Sequence, residues 1–341
     1  MELIVTPDNP MPPGAVATTL RAVDGMALRV ARWHPEGEAL GTVLICTGRA
    51  EFIEKYFETV AELLSRKLAV VVFDWRGQGL SGRDLDNSRK GHIDDFSLYD
   101  RDLDAIRDQT LEPFCPKPWF ALGHSMGAAI LISQARRGVS PFERLALIAP
   151  MIAIQGFRAP RAAHFLAEAL DSIGLGGSFI PGGGSKSMLA QPFEGNILTS
   201  DPIRFRRNAN IVAAAPALAI GAPTIGWINA AFRLMDEFAD PEYPRRVLTP
   251  ALVFGADDDR VVDARAVERF STRLKAGRYL PILYAKHEIL MERDMIRQQF
   301  WRAFEAFIPG ARAELAAIAE AQMWIEKARR KRRFFWRARA V

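Results

Sequence analysis

The sequence predicts an α/β protein with a mostly parallel, doubly wound sheet and an inserted, mainly helical segment. Three observations point there. Short, continuous apolar runs occur at residues 42–47, 68–73, 118–122, 145–149 and 249–254, the form taken by strands buried on both faces. Helix-forming stretches lie between them, and strands alternating with helices at this spacing call for parallel pairing. The alternation stops at residue 150 and returns only near residue 247, so the middle hundred residues read as an insertion into one α/β domain.

The elements follow in order. Residues 1–20 are Pro-rich and predict an irregular lead-in. Residues 26–33 alternate enough for a strand, and 42–47 form the next. A turn, Gly48-Arg49-Ala50-Glu51, then opens a helix reaching about residue 66. The strand at 68–73 ends in a glycine-rich loop, 74–82. Residues 96–111 show an amphipathic period with Asp–Arg pairs on the wet face. Residues 118–122 form the strand leading to Gly123-His124-Ser125-Met126-Gly127, and good helix formers follow at 128–134. After the insertion come a strand at 249–254, a helix at 264–276, a strand at 279–284 and a helix at about 288–307. The resulting division is a first core part at 1–149, the insertion at 150–246, a second core part at 247–310, and a C-terminal helix and tail at 311–341.

Composition bounds the chemistry. The chain has 341 residues, 49% hydrophobic and 25% charged, enough for a large core. Its two cysteines, Cys46 and Cys115, imply no disulfide framework and suit a reducing, cytoplasmic setting. The N-terminus lacks the pattern of a signal peptide, and no apolar run is long enough to span a bilayer. No metal-ligand spacing occurs, and Gly77-Gln78-Gly79 lacks the third glycine and the helix of a dinucleotide fingerprint, so no cofactor is expected. The net charge of +5 is concentrated at one end. Residues 326–341 carry eight lysines or arginines against one glutamate, which leaves the rest with 37 basic and 39 acidic residues. With no basic body, nucleic acid is not an expected partner.

The pattern Gly123-x-Ser125-x-Gly127 between a buried strand and a helix describes a nucleophile elbow. A tight turn pushes the serine hydroxyl out at the carboxyl end of the sheet, where the following helix N-terminus favours developing negative charge. The strand at 249–254 is followed by Asp257-Asp258-Asp259, and that at 279–284 by His287. Ser, Asp and His thus stand in chain order at the ends of successive strands, the order of α/β-hydrolases. His287 would take the proton of Ser125, and one of the aspartates would hold the imidazole. The other histidines (His34, His92, His124 and His164) lie outside such an arrangement.

At these residues the chain resembles the bacterial lysophospholipases of the α/β-hydrolase superfamily, relatives of the monoglyceride lipases and grouped with serine aminopeptidase-like hydrolases. The resemblance rests on Gly48-Arg49-Ala50-Glu51 with Lys55-Tyr56, Asp74-Trp75-Arg76-Gly77-Gln78-Gly79, Gly91-His92, Phe96, Asp102, and His124-Ser125-Met126-Gly127. It continues through Arg204-Phe205-Arg206-Arg207-Asn208, Pro223-Thr224-Ile225-Gly226-Trp227, Arg260-Val261-Val262-Asp263 and His287-Glu288-Ile289-Leu290, and spans roughly residues 25–307.

The resemblance implies a cap over the site and hydrolysis of a fatty acyl ester, with a lysophospholipid or other single-chain acyl ester as partner. Spacing from Pro250 and the sequence Arg260-Val261-Val262-Asp263 place the acid at Asp259, while counting from Gly255 gives Asp258 as the alternative. The oxyanion donors map to the backbone amides of Arg49 and Met126; relatives have His-Gly where this chain has Thr47-Gly48. Asp74, Arg76, His92 and Asp102 read as structural residues behind the site.

The other functions weighed are a monoacylglycerol lipase or general carboxylesterase and, from a different class, a non-catalytic binding module. Ile152, Phe157, Phe179, Phe193 and Trp227 are available to hold an acyl chain, with Trp227 and Phe193 taken as substrate-binding residues. Beyond an Ala-rich helix at 311–330, the basic and aromatic run at 329–339 suits peripheral contact with anionic membrane. A solvated tail is the competing reading. Head group, acyl length and oligomeric state are left open.

Overall fold

The computed structural model describes residues 2–156 and 159–308. The expectations for Phe157 and for the C-terminal helix and basic tail lie outside the described residues. Eight strands form one sheet in the order β1-β2-β4-β3-β5-β6-β7-β8. They are β1 Val16–Arg21, β2 Ala27–Trp33, β3 Thr42–Cys46, β4 Ala69–Phe73, β5 Trp119–His124, β6 Arg144–Ile148, β7 Ala251–Ala256 and β8 Gly277–Ile282. β2 runs antiparallel to both β1 and β4, and the remaining pairings are parallel. This is an α/β-hydrolase sheet, as the sequence predicts.

β3, β4 and β5 are buried at every position, which explains why they appear as unbroken apolar runs. Their parallel neighbours stack so that the ends of β3, β5, β7 and β8 open on one side of the sheet. His34 also follows a strand, but β2 is reversed: Trp33 pairs with Val70 at the start of β4, so His34 lies at the opposite end.

Three sequence expectations change. Residues 16–21 form β1 rather than irregular chain. Only Leu20 of that strand is buried, so an edge strand with one inward side chain shows no alternation. The helix expected at 96–111 begins at Leu98 and continues through a π-type turn to Phe114. The helix after the serine begins at Met126 and reaches Arg136.

Between β6 and β7 the described residues contain no strand, only the isolated bridges Ile154↔Val262 and Phe179↔Thr224. The helices here are Pro160–Leu170, Pro202–Ala214 and Ile225–Ala239. Asp201 caps the second through the amides of Ile203 and Arg204, with Pro202 in the first turn, and Thr224 caps the third through Trp227 N–H. Phe205, Ile211 and Leu218 pack with Phe52, Leu189 and Leu198 in a small second core. Arg204 and Arg207 both meet Glu58 on the helix Phe57–Ser65, at 2.9 and 2.7 Å, which ties the segment to the sheet's helical layer. Among the described residues, no helix is long and apolar enough to cross a membrane.

Candidate active site

Ser125 joins β5 to the helix Met126–Arg136 with φ 51° and ψ −111°, a conformation that a non-glycine residue adopts only under constraint. The constraint is visible. Ser125 N–H donates to Ile148 O at 2.9 Å, and Ser125 O accepts from Ala129 at 3.1 Å and Met151 at 3.1 Å. The flanking glycines allow close approach: a Cβ on Gly127 would stand 2.2 Å from Cys46 O, and one on Gly123 would stand 2.8 Å from Ala128 Cα. The G-x-S-x-G spacing is therefore a packing requirement between β3, β5 and the helix.

Asp259 and His287 come from the loops after β7 and β8. His287 Nδ1 and Asp259 Oδ2 are 2.8 Å apart, both side chains being buried. Asp259 Oδ1 accepts from the amides of Val261 at 2.8 Å and Val262 at 3.0 Å. Burial alone would raise the Asp259 carboxyl, but the adjacent imidazole and the two amides hold it below the usual carboxylate range. The neighbouring acids are elsewhere: Asp258 meets Arg260 at 3.3 Å on the surface, and Asp257 donates its backbone N–H to Ile282 O. Geometry thus separates three consecutive aspartates that spacing alone left close. Ser125 and His287 line the same cavity, with no direct hydrogen bond between them. Such contacts often close only around substrate.

The turn after β3 supplies backbone amides. Gly48 N–H is taken by Glu51 Oε2 and Ala50 N–H by Gln78 Oε1 at 3.2 Å. The carbonyls of Thr47 and Gly48 accept from Trp75 Nε1 and Gln78 Nε2, both at 2.8 Å. Among the described residues the Arg49 amide has no acceptor. Met126 occupies the first position of its helix, ahead of the first intrahelical bond, that of Ala129 to Ser125. The amides of Arg49 and Met126 are the pair the sequence singles out for an oxyanion.

A buried charge cluster sits beneath this turn, and its role escaped sequence reasoning. Glu51 bonds Lys55 Nζ at 2.7 Å, Tyr56 OH at 2.7 Å and His124 Nδ1 at 3.0 Å. Lys55 also meets Glu288 at 2.7 Å, and His124 Nε2 lies 3.2 Å from His287 O. Glu51 therefore links the turn after β3, the elbow and the His287 loop. Burial opposes its charge, yet His124 and Lys55 hold the carboxyl well below its usual range. In return Glu51 raises the His124 imidazole against the burial penalty. The available signal was Glu51 and Lys55 at helical i,i+4 spacing in an apolar setting. Arg29, buried in β2 against Glu54 at 2.7 Å and Asp74 at 2.8 Å, was missed for the same reason. Asp74, Arg76, His92 and Asp102 do bind neighbouring loops: Arg76 bridges Asp102 and Asp24, and His92 meets Thr224 at 2.9 Å.

The cavity at Ser125 has a volume of about 590 Å³. Its walls are mostly apolar away from the serine and come largely from residues 150–246, among them Ile180, Met188, Leu189, Ile220 and Trp227. Trp227, one of the two residues the sequence offers for substrate binding, lines this cavity. Phe193 is not on the wall: it packs edge-on against Phe205, 5.5 Å between ring centres, in the second core. Ile152 and Phe179 also lie off this cavity, Phe179 being engaged by Lys90 at 5.6 Å. The loop carrying His287 is stitched to the same segment, since Lys286 Nζ donates to Asn196 O at 2.8 Å and Glu288 N–H to Leu198 O at 2.9 Å. Among the described residues no cluster of His, Cys, Asp or Glu could hold a metal ion.

Comparison with known proteins shows the family of the chain. Residues 37–294 match the family described as Serine aminopeptidase, S33. The chain is 33% identical over 289 residues to lysophospholipase L2 of Escherichia coli (strain K12), covering 81% of this chain and 82% of that one. It is 30% identical to human monoglyceride lipase over 129 residues, which is 38% of this chain and 41% of the relative. The crystal structure of a soluble variant of monoglyceride lipase from Saccharomyces cerevisiae, in complex with a substrate analogue, has a TM-score of 0.66 at 17% identity over 86% of this chain and 95% of that one. At this identity the likeness speaks for the fold.

Proposed function

We propose that this chain, a carboxylic ester hydrolase belonging to the Serine aminopeptidase, S33 family of α/β-hydrolases, is a lysophospholipase. The observation that carries this reading is the extent of the likeness to lysophospholipase L2. An alignment covering 81% of the chain must pass through residues 150–246, which supply most of the apolar wall. The match to human monoglyceride lipase, 129 residues long, is too short to include both Ser125 and His287. A monoacylglycerol remains the alternative substrate, because the apolar wall would hold the same acyl chain.

In this mechanism Ser125 Oγ attacks the acyl carbonyl while His287 Nε2 takes its proton. Asp259 fixes the imidazole through Nδ1 and stabilises its cation. The Arg49 and Met126 amides hold the oxyanion. The proton then passes to the departing glycerol oxygen, leaving an acyl-serine that water hydrolyses with His287 again as base. Residues 150–246 act as the cap and Trp227 contacts the acyl chain; Phe193, turned into the second core, has no part. The basic tail, outside the described residues, would hold the enzyme at an anionic membrane on the cytoplasmic side. Deleting residues 327–341 should then abolish salt-sensitive pelleting with anionic vesicles and spare hydrolysis of a soluble ester.

The test is labelling with a fluorophosphonate followed by a lipid panel. Ser125→Ala should lose both the label and at least about 10⁴-fold in rate while remaining folded. Retained turnover in that variant would remove Ser125 from the mechanism. Wild-type hydrolysis of monoacylglycerol but not of lysophospholipid would give the alternative substrate.

A further inference from the structure

We infer that the Arg49 guanidinium is the receptor for the substrate's head-group phosphate, so that one residue serves the reacting carbonyl through its backbone and the head group through its side chain. The inference rests on the lysophospholipase reading and names the residue that would distinguish this substrate from a neutral monoacylglycerol.

The charge balance of the cavity leads to it. Four charged side chains other than Arg49 line the space around Ser125: Glu51, Lys55, Glu288 and Lys186. The two carboxylates have partners of their own, Lys55 at 2.7 Å from each and His124 at 3.0 Å from Glu51, so neither is paired with Arg49. Arg49 has no such partner among the described residues. Its Nη2 donates to Gly221 O at 3.0 Å, its Cζ lies 5.1 Å from the Trp227 ring centre, and its Nε is buried without an acceptor. Among the described residues the fully buried arginines are all matched, Arg29 by Glu54 and Asp74, Arg76 by Asp102, and Arg297 by Glu58 and Glu62. Arg49 is half-buried, and other half-buried arginines without an ion pair, such as Arg83 and Arg136, stand away from this cavity. Withdrawing a guanidinium from water without a counter-anion is costly, and burial lowers the Arg49 pKa to about 10. An incoming anion would relieve that cost. Lys186, exposed on the same cavity, adds a second cation without an ion-pair partner among the described residues.

The dimensions agree. As many bonds separate the ester carbonyl carbon from phosphorus in a 1-acyl lysophospholipid as separate the backbone nitrogen of an arginine from its Cζ. With the carbonyl oxygen at the Arg49 amide, the phosphodiester falls within reach of the same residue's guanidinium. A planar fork suits phosphate oxygens, and Trp227 stacking beneath it limits its freedom.

The experiment compares kcat/KM for a 1-acyl lysophospholipid and the 1-monoacylglycerol of the same chain length, in wild type, Arg49→Met and Arg49→Lys. Because every variant keeps the peptide N–H, a loss common to both substrates cancels in the ratio. The lysophospholipid-to-monoacylglycerol ratio should fall roughly 10- to 100-fold in Arg49→Met, the range for losing a hydrogen bond to a charged group, with Arg49→Lys between. An unchanged ratio would overturn the inference and leave the lysophospholipase reading intact. A wild type inert toward lysophospholipid would overturn both. Should Arg49→Met fail to fold, the wild type still decides. A non-hydrolysable ether lysophospholipid should inhibit at least about 10-fold more tightly than the alkylglycerol lacking its phosphate, and equal inhibition would refute the role.

Discussion

The turn at residues 47–51 and the wall supplied by residues 150–246 face the same cavity but are held by different means. In the turn the backbone is held by named side chains: Trp75 on Thr47 O, Glu51 and Gln78 on Gly48, and Gln78 again on Ala50. In the wall the contacts are those of aliphatic side chains, with Met188 half exposed and glycines at 182–184. The hydrogen-bonded side fixes where charge can develop, which needs accuracy well below an ångström. The apolar side only has to exclude water from a chain of variable length, and flexible aliphatic contacts tolerate that.

This contrast predicts steep losses on one side and shallow ones on the other. The steepest, short of removing Ser125, is Asp259→Asn. It should cost on the order of 10⁴-fold in kcat through a mis-held tautomer, while Asp258→Asn should change little. Steady-state kinetics on a soluble ester checks both, and the reverse pattern would move the acid by one position.

Glu51→Gln comes next. It removes the charge that ties the turn, His124 and Lys55 together, and should lower kcat by roughly 10- to 100-fold, the range for a buried charged hydrogen bond. The same variant has a pH signature. His124 is raised above 6.5 by Glu51, so the pair's contribution to stability is fully present below that value and is lost as pH rises through the raised folded pKa. The difference in thermal midpoint between wild type and Glu51→Gln should therefore narrow from pH 6 to pH 9. A constant gap would mean that His124 is neutral in the fold.

The smallest effects belong to the wall. Trp227→Ala should raise KM for a long-chain substrate several-fold and leave a short-chain ester nearly untouched. Phe193→Ala should change stability more than KM, because its ring packs on Phe205 rather than on the cavity. A larger KM effect from Phe193 than from Trp227 would reverse their assignments.

Legibility in the sequence divides along the same line. β3, β4 and β5 were readable because they are buried throughout and so run apolar without interruption. Ser125 was readable because its turn demands glycines at fixed offsets. β1 was not, since one inward leucine makes no pattern. Spacing favours Asp259 but keeps Asp258 open, and the 2.8 Å contact of Asp259 with His287 separates the two in space. The Glu51 cluster was visible as residues but not as a network, because burial of charge leaves no periodicity to detect. In the insertion, composition shows that aromatics are present but not which way they turn, and of four described apolar candidates only Trp227 reaches the cavity.

The two residues flanking His287 both donate to the carbonyls of residues 196 and 198. In terms of modularity, the segment between β6 and β7 is therefore not an accessory that could be excised or exchanged to leave a smaller working esterase. Part of the seat of His287 lies in it. Grafting this segment from another hydrolase would have to reproduce those two carbonyls as well as the shape of the pocket, so specificity and turnover would be inherited together rather than shuffled apart.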